Sequence, residues 1–162
     1  MRRLCIILLC GLIAIPAAMA ATRAAGDGVL EVFHGYGVVT LSGTRGTAWG
    51  QIANGQLIVT DYVAGDGSIL VSGADDVNQI SANVTVYRGK DMRFRVTGGR
   101  YKLRFNGDDI NLSAVGVGSA RLAGDPTADD PGDYALDNGK RVAMPLNPRT
   151  VTFGAQPIIA AP

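Results

Sequence analysis

Five cations fall within a short stretch of the chain: Arg93, Arg95, Arg100, Lys102 and Arg104. They alternate with Met92, Phe94, Val96, Tyr101, Leu103 and Phe105. Alternation of this kind is the period of a half-buried strand, with apolar residues on one face and charge on the other. Gly98-Gly99 and Asn106-Gly107 read as two-residue hairpin turns, because both tolerate positive φ. That register sets Val96 opposite Tyr101, Phe94 opposite Leu103 and Met92 opposite Phe105. It also sets Leu103 opposite Ile110 and Tyr101 opposite Leu112. The cations then share one face, with Arg93 opposite Arg104 and Arg95 opposite Lys102. Like charges across a ladder repel, so such a face wants acids from elsewhere or an anion from outside; Asp109, opposite Arg104, offsets one of them. The planar guanidinium fork suits carboxylate, phosphate and sulfate groups. A solvated outer face is the plainer reading of the same residues.

Other constellations carry less chemistry. His34 is the one histidine. A Ser-His-Asp triad would have to use it, yet no G-x-S-x-G elbow is present; Gly116-Val117-Gly118-Ser119 only resembles one. The pairs Asp75-Asp76, Asp108-Asp109 and Asp129-Asp130 invite comparison with glycoside hydrolysis. That reaction needs two carboxylates facing one another across the scissile bond, whereas neighbours in a strand point to opposite faces. Asp125, Asp129, Asp130 and Asp133 share one loop and form a calcium candidate, though their spacing matches no calcium-loop pattern. With one histidine and no cysteine after the leader, a zinc site lacks ligands. Asn83-Val84-Thr85 and Asn111-Leu112-Ser113 match the glycosylation sequon, each inside an expected strand. No residue pattern calls for a cofactor.

The ends of the chain bear on where this chemistry would operate. Met1-Arg2-Arg3, an apolar run from Leu4 to Ile15, Pro16, and Ala18-Met19-Ala20 have the layout of a cleaved secretory signal over residues 1–20. The run is shorter than the roughly 20 apolar residues a bilayer span needs. Cys5 and Cys10, the chain's two cysteines, lie within it. Leu9 before Cys10 does not make a lipid-attachment box, and Arg2-Arg3 lacks the flanks of a twin-arginine signal. The expectation is a secreted, periplasmic or envelope-associated protein with no disulfide in its mature form. Without Arg2 and Arg3, thirteen of the fifteen basic residues face fourteen acids. That near-neutral balance argues against nucleic acid as a partner.

These residues must be held by strands. Glycine, at 22 of 162 residues, is about twice its usual share of roughly 7%. Short β-branched and aromatic runs lie between glycines at 29–34, 37–42, 47–53, 56–62, 68–72, 78–87, 91–97, 100–105, 109–115, 119–123, 133–137, 140–144 and 149–153. No mature stretch sustains an apolar period of 3.6. The expectation is one all-β domain over 21–154, an antiparallel β-sandwich, with a tail at 155–162; a β-solenoid, β-helix or small barrel is the alternative. Asn54-Gly55 reads as a further hairpin turn. Asn138-Gly139 sets Leu136 opposite Arg141, which points to a longer loop or a bulge.

Function follows as an expectation from these features. The leading reading is a non-catalytic module that binds anionic polysaccharide, lipid headgroups or another envelope polymer through the basic face. The alternatives are a small secreted hydrolase using dispersed Asp residues or His34, and a structural module that self-associates through sheet edges.

Overall fold

The computed structural model describes residues 24–154. The expected leader and the tail at 155–162 lie outside the described residues. Eight strands follow in order: β1 (Gly28–Asp61), β2 (Gly67–Ser72), β3 (Asp76–Ser81), β4 (Val84–Gly98), β5 (Tyr101–Gly124), β6 (Asp133–Leu136), β7 (Val142–Ala143) and β8 (Arg149–Phe153). No helix occurs among the described residues. All pairings are antiparallel, which removes the parallel-solenoid alternative. The strands form one sheet, ordered β2-β4-β1-β5-β8, with β3 on β4 and the β6–β7 pair on β1.

Four expected strands, from 29–34 to 56–62, are one continuous strand, β1. Three more, from 100–105 to 119–123, are β5. Their glycines are not turns. Residues 28–43 of β1 line one side of 101–116, and residues 46–61 line the other; 37–43 also pairs with 118–124. Each long strand therefore runs on through its glycines and meets the same partner again.

The glycines fall in register. Gly124 pairs with Gly37, Gly37 with Gly107, Gly107 with Gly55, and Gly55 with Gly89. This row crosses five passes of the chain. A Cβ on Gly107 would sit 2.2 Å from the Asn54 carbonyl oxygen, and one on Gly55 would sit 2.4 Å from that of Asn106. Backbones approach here as only glycine allows. A shorter row joins Gly28, Gly116 and Gly46.

The sheet bends back over itself along the first row. Phe94 pairs with Gly50 and Phe105 with Leu57, seven residues apart on the same pass of β1. A flat strand would separate them by about 23 Å at roughly 3.3 Å per residue. Their ring centroids are 4.8 Å apart. Both sides of the row thus feed one core.

Crossing the row also changes parity. β5 buries Tyr101, Leu103 and Phe105 before it and Ile110, Leu112 and Ala114 after it; β1 buries Leu30 and Val32, then Val39 and Leu41. A strict period of two would turn one of these sets outward. The extra residue sits at left-handed positions beside the row, His34 (φ 49°) in β1 and Asp109 (φ 50°) in β5. They act as bulges that keep the apolar face inward.

Three expected hairpins are corrected. Asn54-Gly55 and Asn106-Gly107 lie within β1 and β5. Gly98 and Gly99 are left-handed, as the turn reading required, but β4 does not pair with β5. The second pass of β1 lies between them. Among the described residues, a two-residue turn does occur at Ala82-Asn83, with Ser81 opposite Val84. At the Asn138-Gly139 signal, Asp137 and Asn138 are both left-handed and the Gly139 N–H donates to the Leu136 carbonyl. The loop is longer than a bare Asn-Gly turn, because β6 pairs Tyr134 with Val142.

Candidate functional site

The cations point outward as expected, yet they do not form one ribbon. All five are exposed. Arg93 lies opposite Gln51 and Ser72, and Arg95 opposite Trp49 and Leu70. Lys102 lies opposite Ser42 and Thr60, and Arg104 opposite Thr40 and Ile58. The expected Arg93–Arg104 and Arg95–Lys102 pairs do not exist, because a strand of β1 separates their parents. Asp109 likewise does not lie opposite Arg104. Arg100 sits in the β4–β5 connection, where its backbone N–H donates to Asp66 Oδ2 at 3.0 Å. The basic set is thereby divided by the glycine row.

Arg93 and Arg95 belong to a groove of about 1030 Å³ on the outer face of the sheet. Its lining includes Thr47, Trp49, Gln51, Asn111, Ser113 and Phe33. Register explains the grouping: Arg95, Trp49 and Ser113 are cross-strand neighbours, as are Arg93, Gln51 and Asn111. In each strand the core residues are the alternate ones, such as Phe94, Ile52 and Leu112. Trp49 is 38% exposed. Neither arginine makes an ion pair or side-chain hydrogen bond among the described residues. The acid in the lining, Asp27, is bridged to Arg45 at 3.1 Å. The two arginines therefore stand without an acid partner beside an aromatic surface, while Glu31 lies opposite Ser113 on the same face. Sequence reasoning missed Trp49, whose even spacing from Thr47 and Gln51 was the available signal.

His34 lies at the β1 bulge. Its Nδ1 is 2.6 Å from Asp109 Oδ1, and its backbone N–H donates to Asn111 Oδ1 at 3.0 Å. Asn111 Nδ2 donates to Asp109 Oδ1 at 2.8 Å and to the Asp109 carbonyl at 3.2 Å. These bonds close a ring that fastens the two bulges together. The imidazole is 74% exposed.

The other acids are dispersed. Asp76 bridges to Arg88 at 3.0 Å, and Asp108 Oδ2 accepts from Asn54 Nδ2 at 3.3 Å. Of the calcium candidates, Asp125 Oδ1 accepts from the Thr127 N–H at 2.8 Å and the Thr127 hydroxyl at 2.7 Å. These bonds, the backbone one first, hold its carboxyl below the usual value. Asp130 Oδ1 accepts from the Gly132 N–H at 2.8 Å. Asp129 is exposed in the same loop, and Asp133 begins β6 opposite Phe33 and Ala143. Asp125 and Asp130 thus stabilise loop turns. No cluster of three metal-ligating residues occurs among the described residues. Asn83, the first sequon residue, is exposed in its turn rather than within a strand; Asn111 is half-buried in the His34 ring.

No protein-family model matches the chain, and no curated protein or solved structure is significantly similar to it.

Proposed function

We infer that this protein is an exported, non-catalytic β module that binds an anionic partner of the cell envelope. The carrying observation is the outer groove, where Arg93 and Arg95 stand beside Trp49 with no acid of their own. Two neighbouring guanidinium forks offer parallel hydrogen bonds to carboxylate, sulfate or phosphate groups. Lys102 and Arg104, across the glycine row, add long-range attraction, which salt screens. The folded sheet is best read as a sandwich, in which the two sides of the glycine row supply the facing layers. That arrangement leaves both outer faces for contact with a partner.

The test is retention of the full chain on heparin-agarose at low salt. Replacing Arg93 and Arg95 by Gln is expected to lower the retained fraction by about threefold or more, since both lose their charge-assisted bonds. Replacing Lys102 and Arg104 by Gln is expected to shift elution only modestly. Equal behaviour of both double variants and the unaltered chain would remove the groove as the binding face.

A second reading, a small hydrolase, rests on the 2.6 Å His34–Asp109 contact. A general base also needs a nucleophile or water held within hydrogen-bond reach. The observed ring spends Asp109 and Asn111 on the bulges instead. Turnover of a chromogenic ester or glycoside that disappears in His34→Ala would favour this reading over the binding module.

A further inference from the structure

We propose that the groove ligand is an acidic oligosaccharide, with a sugar ring lying on Trp49 and its carboxylate held by Arg93 and Arg95. The proposal rests on the anion-binding reading above and gives it a chemical class.

The outer face is a small lattice of side chains. Across the strands, one row runs Leu70, Arg95, Trp49, Ser113, Glu31, with the acid at the end away from the cations; the next runs Ser72, Arg93, Gln51, Asn111. Neighbours across strands are about 5 Å apart, and those two apart along one strand are roughly 7 Å apart. Trp49 stands inside this lattice. The cations lie on its β4 side, and the neutral hydrogen-bonding groups Gln51, Ser113 and Thr47 flank it. None of these three uses its side chain in a hydrogen bond among the described residues, whereas Asn111 is fixed by His34 and Asp109. Gln51, Ser113 and Thr47 are thus available to a ligand against a rigid wall.

Three features select the ligand. Paired arginines on one side of the aromatic select a carboxylate or sulfate at a fixed position. A half-exposed indole beside them selects a flat, partly apolar body, because Trp joins a large apolar face to a polar edge. A pyranose ring fits, having C–H groups on its faces and hydroxyls around its rim. The neutral amide and hydroxyls then meet that rim. A lipid headgroup would use the arginines and leave the amide and indole without matching groups. Groove size suits an oligomer: about 1030 Å³ lies just above the roughly 300–1,000 Å³ of small-ligand sites. A single inorganic anion would leave most of it to water.

Trp49 is the chain's one tryptophan, so its emission reports on the groove directly. The full chain is titrated with tetragalacturonate, with its fully methyl-esterified form, with polyglutamate, and with phosphatidylglycerol vesicles. The expected result is a saturable change in emission with tetragalacturonate. Affinity is expected to fall at least tenfold for the esterified form and for Arg95→Gln. Calorimetry is expected to show a similar loss for Trp49→Leu. Both variants should keep the unfolding midpoint of the unaltered chain. Equal affinity for the esterified form would overturn the acidic class. Equal or tighter binding of polyglutamate or vesicles, lost in Arg95→Gln but unaffected by Trp49→Leu, would overturn the saccharide and leave the anion-binding reading standing. Absence of binding to any anionic probe would overturn both.

Discussion

Tyr101 shows how one side chain ties the core to a measurable titration. Burial pushes its phenol up to about 12, because the charged form loses hydration. It also lies against Gly43, where a Cβ would meet the ring at 2.4 Å. The ring covers a glycine that lacks a side chain of its own. A raised folded value means that the folded state holds its proton longer than the unfolded chain, whose phenol titrates near 10. The stabilisation is whole below about pH 10 and is lost as pH rises towards about 12. Two units correspond to roughly 2–3 kcal/mol. Denaturant unfolding from pH 8 to 12 is expected to show this loss in the unaltered chain and a flatter profile in Tyr101→Phe. Parallel profiles would assign the alkaline loss to other groups. The His34 ring gives a second case. Asp109 is left-handed at φ 50°, where a Cβ costs about 1–2 kcal/mol. Asp109→Ala and Asp109→Gly both remove the bonds to His34 and Asn111, but only alanine keeps the backbone strain. Thermal melts are expected to place Asp109→Ala below Asp109→Gly by about 1 kcal/mol; the reverse order would contradict the bulge account.

At the scale of elements, glycine has a different meaning from the one its neighbours suggest. Asn-Gly and Gly-Gly between apolar alternations are strong hairpin signals, yet two of the three, Asn54-Gly55 and Asn106-Gly107, lie inside continuous strands. What decides is the facing backbone. Gly107 has an ordinary φ, but a Cβ there would come 2.2 Å from Asn54 O and 2.9 Å from Gly55 Cα. Gly107→Ala therefore fails on contact alone and is expected to cost about 3 kcal/mol or more. Chemical denaturation would measure this, and a cost below about 1 kcal/mol would mean that the strands can part at the row without penalty. The alternation itself was legible: Met92, Phe94, Val96, Tyr101, Leu103, Phe105, Ile110 and Leu112 are all buried. The intervening cations are all exposed. Facing direction follows from the local period of two, whereas partner choice depends on strands far away in the chain.

The whole molecule leaves an unpaired flank. β2 and β3 lie end to end along β4, with no further strand beyond them among the described residues. Every residue of β3 is exposed, including Val77 at 58% and Ile80 at 61%, and Leu70 of β2 is 64% exposed. Such an edge invites another strand unless charge or proline blocks it. Pairing between copies through β3 is expected to raise the hydrodynamic size with concentration. The double variant Val77→Lys, Ile80→Lys should hold it constant. A size independent of concentration in the unaltered chain would remove self-association as a function.

The sequence by itself determined an all-β chain, the inward and outward faces of its central strands, and the outward aim of its cations. Each is a property of nearest neighbours along the chain, set by Cβ alternation and the lack of any 3.6 period. Only the tertiary structure decided that the glycines align into rows, that the sheet bends over on itself, and that β1 separates β4 from β5. Those facts rest on contacts between residues such as Gly37 and Gly107, which are far apart in the chain and whose meeting no local period encodes. The interposed pass of β1 divided the arginines and placed Trp49 beside two of them, so the candidate site exists because a strand from elsewhere in the chain came to lie between β4 and β5.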